Sequence, residues 1–186
     1  MNEKLLDRAR QKMRVTDAQG RETGEIVERA KAHATPGVKH LAFIVFVINS
    51  NGEFALHRRS GKKIGGNLID SPVSHVLAGE TVDEAVQRCL KHEYGVEKKL
   101  PVEKYGGFSY EKDYGDGTCE NEYCLVLAVE YSGAITPNPG EIEGEIIFMP
   151  VVDAIADSKR HPEKFEVWFN HAIPIFEKSE KAKKYL

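Results

Sequence analysis

Eight consecutive apolar residues, Leu41-Ala-Phe-Ile-Val-Phe-Val-Ile48, constrain this chain more than any other stretch. The run is far shorter than the roughly 20 residues of a membrane span, and it is rich in β-branched and aromatic side chains. A strand with one wet face alternates apolar and polar residues, whereas an unbroken run is expected of a strand buried on both faces. Such a strand needs a covering layer above and below it. Val82–Tyr94 is a candidate for one layer. Thr81 and Glu84 have the spacing of a capping box, and Val82, Ala85, Val86, Cys89 and Leu90 recur at helical spacing. Gly95 is a natural stop. Glu93 falls on the same apolar face, and a carboxylate there requires a cation, a donor or a metal.

The remaining pattern is mixed. Residues 2 to about 13 read as a charged helix, and Arg14–Glu28 as two short strands around a turn. Ser50-Asn51-Gly52 turns the apolar strand into a hairpin with Glu53–Arg58, followed by a glycine- and lysine-rich loop at 60–69. Further strands are expected at 102–110, 119–130 and 145–149, and helices at 150–158 and 163–180. This mixture predicts an α+β fold, with residues 1–186 as one domain.

Composition narrows the function. A chain of 186 residues with a net charge of −3 lacks the basic excess of a general nucleic-acid binder. Met1–Arg14 is charged and has no apolar signal region, which predicts a cytoplasmic protein without membrane attachment. Cys89, Cys119 and Cys124 lack zinc-finger spacing and read as free thiols.

Glu120-Asn121-Glu122 lies within a strand candidate, so both carboxylates share one face with Cys124. They read either as the solvated face of an edge strand or as ligands and acid–base groups. His33, His40 and His75 stand at segment boundaries, and together with the E-x-E pair they would complete a donor set for a divalent transition metal. Arg29, Arg58-Arg59 and Lys62-Lys63 lie near turns, where they either face solvent or hold phosphate.

Ser74-x5-Glu80-x7-Arg88-Cys89-Leu90-Lys91-His92-Glu93-Tyr94-Gly95-Val96 resembles the Nudix box, G-x5-E-x7-R-E-U-x-E-E-x-G-U with U aliphatic. Ser74, Cys89 and His92 depart from it, the last two at positions of metal-binding glutamates. The departures resemble the type I isopentenyl-diphosphate isomerases, whose box keeps a single glutamate. That likeness runs from about Val15 to Trp168 and includes His40-Leu-Ala-Phe, Arg58-Arg59, Ser71, His75, Phe108-x-Tyr110, Glu120-Asn-Glu122-x-Cys124 and Phe165-x-x-Trp168.

The resemblance implies a Nudix α/β/α sandwich with a mixed β-sheet, a box region at 74–96 and an N-terminal extension at 1–39. It implies one divalent metal, Mn2+ or Zn2+, on His33, His40, His75, Glu120 and Glu122, and a Mg2+ between Glu93 and a small-molecule diphosphate. Arg29, Arg59 and Lys62 or Lys63 would grip that diphosphate. Glu122 with Tyr110 would carry proton chemistry, and Trp168 would cover a cationic centre. The family's catalytic cysteine falls on Val73, which can neither give nor take a proton. Expected, therefore, is a metal-dependent enzyme acting on an organic diphosphate with altered isomerase chemistry; a diphosphate hydrolase and a non-catalytic binder are the alternatives.

Overall fold

The computed structural model describes residues 8–186. The apolar run forms strand β3 (His40–Ile48), in which all nine residues are buried. β3 lies parallel to β8 (Cys119–Glu130) over its whole length, from His40 opposite Glu122 to Ile48 opposite Glu130. β7 (Glu103–Asp113) pairs antiparallel on the far side of β8. On the other edge of β3, the short β6 (Val73–His75) pairs antiparallel.

The hairpin from β3 to β4 (Glu53–Arg59) is joined only at Ile48 and Phe54. Beyond that point the strands part. β4 pairs instead with β5 (Ile69–Asp70) and β9 (Ile142–Pro150), both antiparallel. The sheet is thus mixed and split at one end into two leaves. A hairpin of β1 (Lys12–Thr16) and β2 (Glu22–Glu28) touches the start of β3 through Val15 and His40. A single helical turn, α1 (Arg29–Ala32), follows β2.

Both faces of the sheet are covered. Leu41, Phe43, Val45 and Val47 of β3 pack with Leu125, Leu127 and Val129 of β8 against α2 (Val82–Tyr94). The alternate residues Ala42, Ile44, Phe46 and Ile48 pack on the opposite side against α3 (Val151–Arg160) and α4 (Val167–Lys178). α2 begins with the expected capping box of Thr81 and Glu84 and ends at Gly95 in the left-handed region, φ 66°. That conformation is open to glycine without a Cβ penalty.

Two expectations change. The proposed N-terminal helix lies outside the described residues over 1–7 and is present at Arg8 and Ala9, but its last residues, Lys12 and Met13, are strand. Met13 is fully buried and pairs with Val27, so tertiary packing overrides the charged local pattern. The E-x-E strand is no edge: β8 runs between β3 and β7.

α4 enters through Glu166, which carries an uncommon burden. It is fully buried, and neither carboxylate oxygen has a hydrogen-bond partner. Arg59 Nε stands 4.0 Å away. The loop between β4 and β5 closes over it at Gly65, where a Cβ would lie 2.4 Å from Glu166 Oε1. Burial, together with the nearby Asp70, pushes the Glu166 carboxyl up to about 8. The folded state therefore holds a proton that the unfolded chain releases near an ordinary glutamate value of about 4.3. Stability is full below that value and is lost as pH rises through about 8. Urea denaturation at pH 5, 7 and 9 is expected to show this decline, at most about 1.4 kcal/mol per pH unit for one proton. Glu166→Gln is expected to lessen it, leaving the part due to Asp70, whose carboxyl burial pushes up to about 7, and to be the more stable protein at pH 9.

Candidate functional site

Strand register assembles the site on the α4 side of the sheet. His40 and Glu122 are paired neighbours across β3 and β8, and Tyr110 of β7 lies opposite Glu122. One step along, His75 of β6 and Cys124 of β8 both pair with Ala42. His33 arrives from the end of α1. Its placement follows from the docking of residues 33–37 along the start of β8, where Cys119 N donates to His33 O and Thr35 N to Gly117 O. Gly37 permits the approach: a Cβ there would lie 2.6 Å from Cys119 Sγ.

The three imidazole rings form a triangle with centroids 4.8, 4.9 and 5.0 Å apart. One ligand atom from each, with a Glu122 oxygen, lies within 4.8 Å of the others. His40 Nδ1 donates to the Val38 carbonyl at 2.7 Å, and His33 Nδ1 meets the Cys119 carbonyl at 3.1 Å. These bonds fix the tautomers and leave the two Nε2 lone pairs free. Both Nε2 atoms are buried without a partner, as is His75 Nδ1. Glu122 Oε1 faces His75 Nε2 at 2.9 Å and His40 Nε2 at 3.3 Å. Buried lone pairs converging on a carboxylate oxygen are costly unless a cation lies among them. The donor set fits a divalent transition ion.

Glu120 stands beside this cluster and not within it. Its Oε2 lies 3.1 Å from His33 Nδ1. The two glutamates are pushed in opposite directions. Burial would raise both, but the adjacent His40 and His75 imidazoles hold Glu122 well below the usual carboxylate range. Burial and the adjacent Glu122 charge raise Glu120 against the pull of His33. Burial, with Arg29 nearby, holds His75 well below the ordinary histidine range, so its imidazole is neutral at pH 7. Tyr110 Oη donates to Glu122 Oε2 at 2.7 Å. Burial and that negative charge keep the phenol protonated.

Above these groups is a cavity of about 50 Å³ lined by His75, Tyr110, Glu120, Glu122, Val73 and Trp168 among others. It shares Arg8, Arg29, Arg59, Lys63 and Glu120 with a groove of about 360 Å³ that also takes in His33 and Lys62. Of the sequence-predicted site residues, His40 and Glu93 line neither space: His40 lies in the imidazole triangle, and Glu93 lies 3.2 Å from Lys63 Nζ. Lys63 reaches both spaces and Lys62 only the outer groove. Arg58, the neighbour of Arg59, is exposed and bonds to the Asn67 carbonyl.

Four charged residues escape sequence reading. Asp70 is fully buried and accepts from Trp168 Nε1 at 3.0 Å and Arg59 Nη1 at 3.3 Å, so it orients both. Arg59 also lies 4.9 Å from the Trp168 ring centroid, which places a cation on one face of the indole. Glu166, Glu141 and Arg8 complete the set. Asp70 adjoins Ser71 and Glu166 lies within Phe165-x-x-Trp168, whereas Arg8 and Glu141 adjoin no motif.

Comparison with known proteins agrees with this geometry. The NUDIX domain family matches residues 38–169. The isopentenyl-diphosphate Delta-isomerase of Halorhodospira halophila is 34% identical over 164 residues, covering 86% of this chain and 91% of its own. Among solved structures, DR0079 of Deinococcus radiodurans superposes with a TM-score of 0.67 at 19% identity, over 88% of this chain and 97% of its own. A MutT Nudix hydrolase from Burkholderia pseudomallei does so with a TM-score of 0.58 at 17% identity, over 73% and 96%. No helix among the described residues is long and apolar enough to cross a membrane. A β3–β8 scaffold, a box helix that carries Glu93 in its last turn and relatives matched along most of the chain lead to one assignment: this protein belongs to the Nudix family of enzymes and resembles, within it, the isopentenyl-diphosphate isomerases.

Proposed function

We propose that this chain is a divalent-metal-dependent enzyme acting on a small organic diphosphate, isomerase-like in its architecture and altered in its proton chemistry. The observation that carries this reading is the Tyr110–Glu122 pair. Glu122 offers one oxygen to the histidine cluster and the other, 2.7 Å from Tyr110, to a proton relay at the cavity wall. His33, His40, His75 and Glu122 would hold one divalent ion, Mn2+ or Zn2+, with Glu120 beside it. A Mg2+ would be held by Glu93. When bound, such ions supply charge neutralisation for the diphosphate and for the glutamates.

The chain's own residues divide the remaining work. Arg29 and Arg59 present fixed guanidinium groups to phosphate oxygens, and Lys62 and Lys63 present mobile point charges. Burial pushes Arg29 down to about 10, so it stays charged at neutral pH. Trp168, held by Asp70, presents its remaining ring face to a cationic centre in the ligand. Glu122 exchanges a proton with substrate carbon, and Tyr110 holds its second oxygen in place.

The opposite side of the cavity differs. β6 and β8 flank β3, so Val73 and Glu122 stand on either side of the floor made by Ala42. A valine has no exchangeable proton. Moving an alkene needs one proton delivered and another removed, so a single protein relay limits the rate. Losing a positioned acid–base group costs about 10²- to 10⁴-fold. Cys124 lines the same cavity but sits on the Glu122 strand, and burial raises its thiol well above the usual range. Hydrolysis by a glutamate cluster is disfavoured in this box: Cys89 is buried in the α2 core and His92 carries no carboxylate.

Proton and phosphorus NMR of isopentenyl diphosphate in deuterated water, with Mg2+ and Mn2+ present, tests the reading. Deuterium entering the substrate carbons, or allylic product, is expected. Release of phosphate or a monophosphate would instead make the protein a hydrolase, and an unchanged spectrum would exclude this substrate. Glu122→Gln is expected to lower carbon exchange about 10²-fold or more while diphosphate still raises the melting temperature. Val73→Cys is expected to raise isomerisation. In chelator-treated protein, Mn2+ or Zn2+ at about 100 times its dissociation constant should add about 2.7 kcal/mol of stability. Thermal melts should show that gain lost in His75→Ala.

A further inference from the structure

Beside the histidine cluster lies a second charged group, formed around the C-terminal end of α2. The loop before β9 docks there through Thr136 N to Tyr94 O and Asn138 N to Glu93 O, each 2.9 Å. Ser60 N donates to Glu141 O at 3.0 Å, which brings the 60–66 loop to the same place. Glu93 and Glu141, 3% and 5% exposed, thereby become neighbours. Two buried carboxylates at such a distance need a counter-charge. Lys63 supplies it: its Nζ lies 3.2 Å from Glu93 Oε1 and 2.6 Å from Glu141 Oε2. Arg8 and His92 each approach Glu141 Oε1 at 3.0 Å.

Two features show that this arrangement is incomplete. Glu93 Oε2 is buried and has no partner. Lys63 lines both the cavity and the groove, whereas Glu93 and Glu141 line neither. The ammonium therefore stands between the carboxylate pair and the space a ligand would fill. Arg8 also pairs with Glu141, whereas Glu93 faces the shared Lys63 ammonium with one oxygen left over.

We infer that Lys63 is a displaceable counter-cation: it occupies the Glu93–Glu141 pair until a divalent cation takes its place, and the freed ammonium then swings to a phosphate group in the groove. The inference rests on reading the groove as a diphosphate site, and it adds Glu141 as a ligand and Lys63 as the link. A divalent ion matches the charge of the pair and satisfies the orphaned oxygen. It also repels the ammonium. Lysine suits the exchange because its flexible stem carries a point charge, where an arginine fork would be held by geometry. The freed charge joins Arg29, Arg59 and Lys62, so cation and diphosphate strengthen each other's binding, reciprocally.

Calorimetric titration of Mg2+ into the full chain, with the histidine cluster filled by equimolar Zn2+, tests the link. K63M is expected to bind Mg2+ about 5- to 150-fold more tightly than the parent protein in the absence of phosphate. It is also expected to gain less from added inorganic diphosphate; free Mg2+–diphosphate association is common to both proteins and cancels. E141Q in the K63M background should remove the extra affinity. Carbon-13 NMR of reductively methylated lysines provides a measurement on the unmutated chain, with the Lys63 signal assigned by its absence in K63R. Mg2+ alone should move that signal to a solvent-like position. Unchanged Mg2+ affinity in K63M, or a Lys63 signal indifferent to Mg2+, overturns the inference. Weaker diphosphate binding in K63M with unaltered Mg2+ affinity makes Lys63 a simple phosphate contact and leaves the substrate reading standing. A parent protein that binds neither Mg2+ nor diphosphate removes both.

Discussion

Everything at the site depends on the parallel register of β3 and β8. That register places His40 against Glu122 and leaves Ala42 as the cavity floor between His75 and Cys124. A slip of one residue would turn Glu122 to the α2 side and bury a carboxylate among Leu125, Leu127 and Val129. The apolar alternation guards against this, because each face of β3 meets its own helical layer. Hydrophobic packing thus sets the geometry of polar groups that contribute little to folding themselves. Strand ends do the rest: His40 opens β3 and His75 closes β6, so both project where the sheet stops and the α4 layer leaves room.

The site gathers more buried charge than a resting fold tolerates without compensation. Asp70 is buried with Arg59, Glu122 with two histidines, and Glu93 with Lys63. Demand is left unmet around them, visible as buried atoms without partners on His33, His40, His75, Glu93 and Glu166. Such groups cost stability unless something binds them. Three of them, on His33, His40 and His75, meet in one triangle, and that convergence separates a binding site from ordinary polar burial.

Local signals carried much of this architecture. The β3 run, the capping box of α2 and the E-x-E alternation are written in nearest-neighbour chemistry and appear in the fold as read. The E-x-E face was ambiguous because alternation alone cannot tell an edge strand from an interior one; β7 decides it, and its pairing with β8 is a tertiary fact. Lys12 and Met13 were misjudged because charge on either side hid a two-residue period. Glu141 was invisible for a different reason. It reaches Glu93 through turns at 60–66 and 136–141, whose backbone hydrogen bonds have no sequence signature. The likeness of the histidines and E-x-E to a known pattern supplied what spacing could not: that residues 33, 40, 75 and 122 meet.

The hairpin that opens after Ile48 and Phe54 gives the molecule two leaves on one hinge. One leaf, β6–β3–β8–β7, bears His40, His75, Glu122 and Tyr110. The other, β5–β4–β9, bears Arg59, and Glu141 just ahead of β9. The groups proposed for proton chemistry and most of those proposed to grip the anion therefore stand on separate boards that share a corner. Lengthening or shortening the 60–68 loop would reshape the mouth of the groove while leaving the histidine triangle in place. In evolutionary terms, a lineage built on this frame can reshape the rim of its groove without disturbing the histidine cluster beneath.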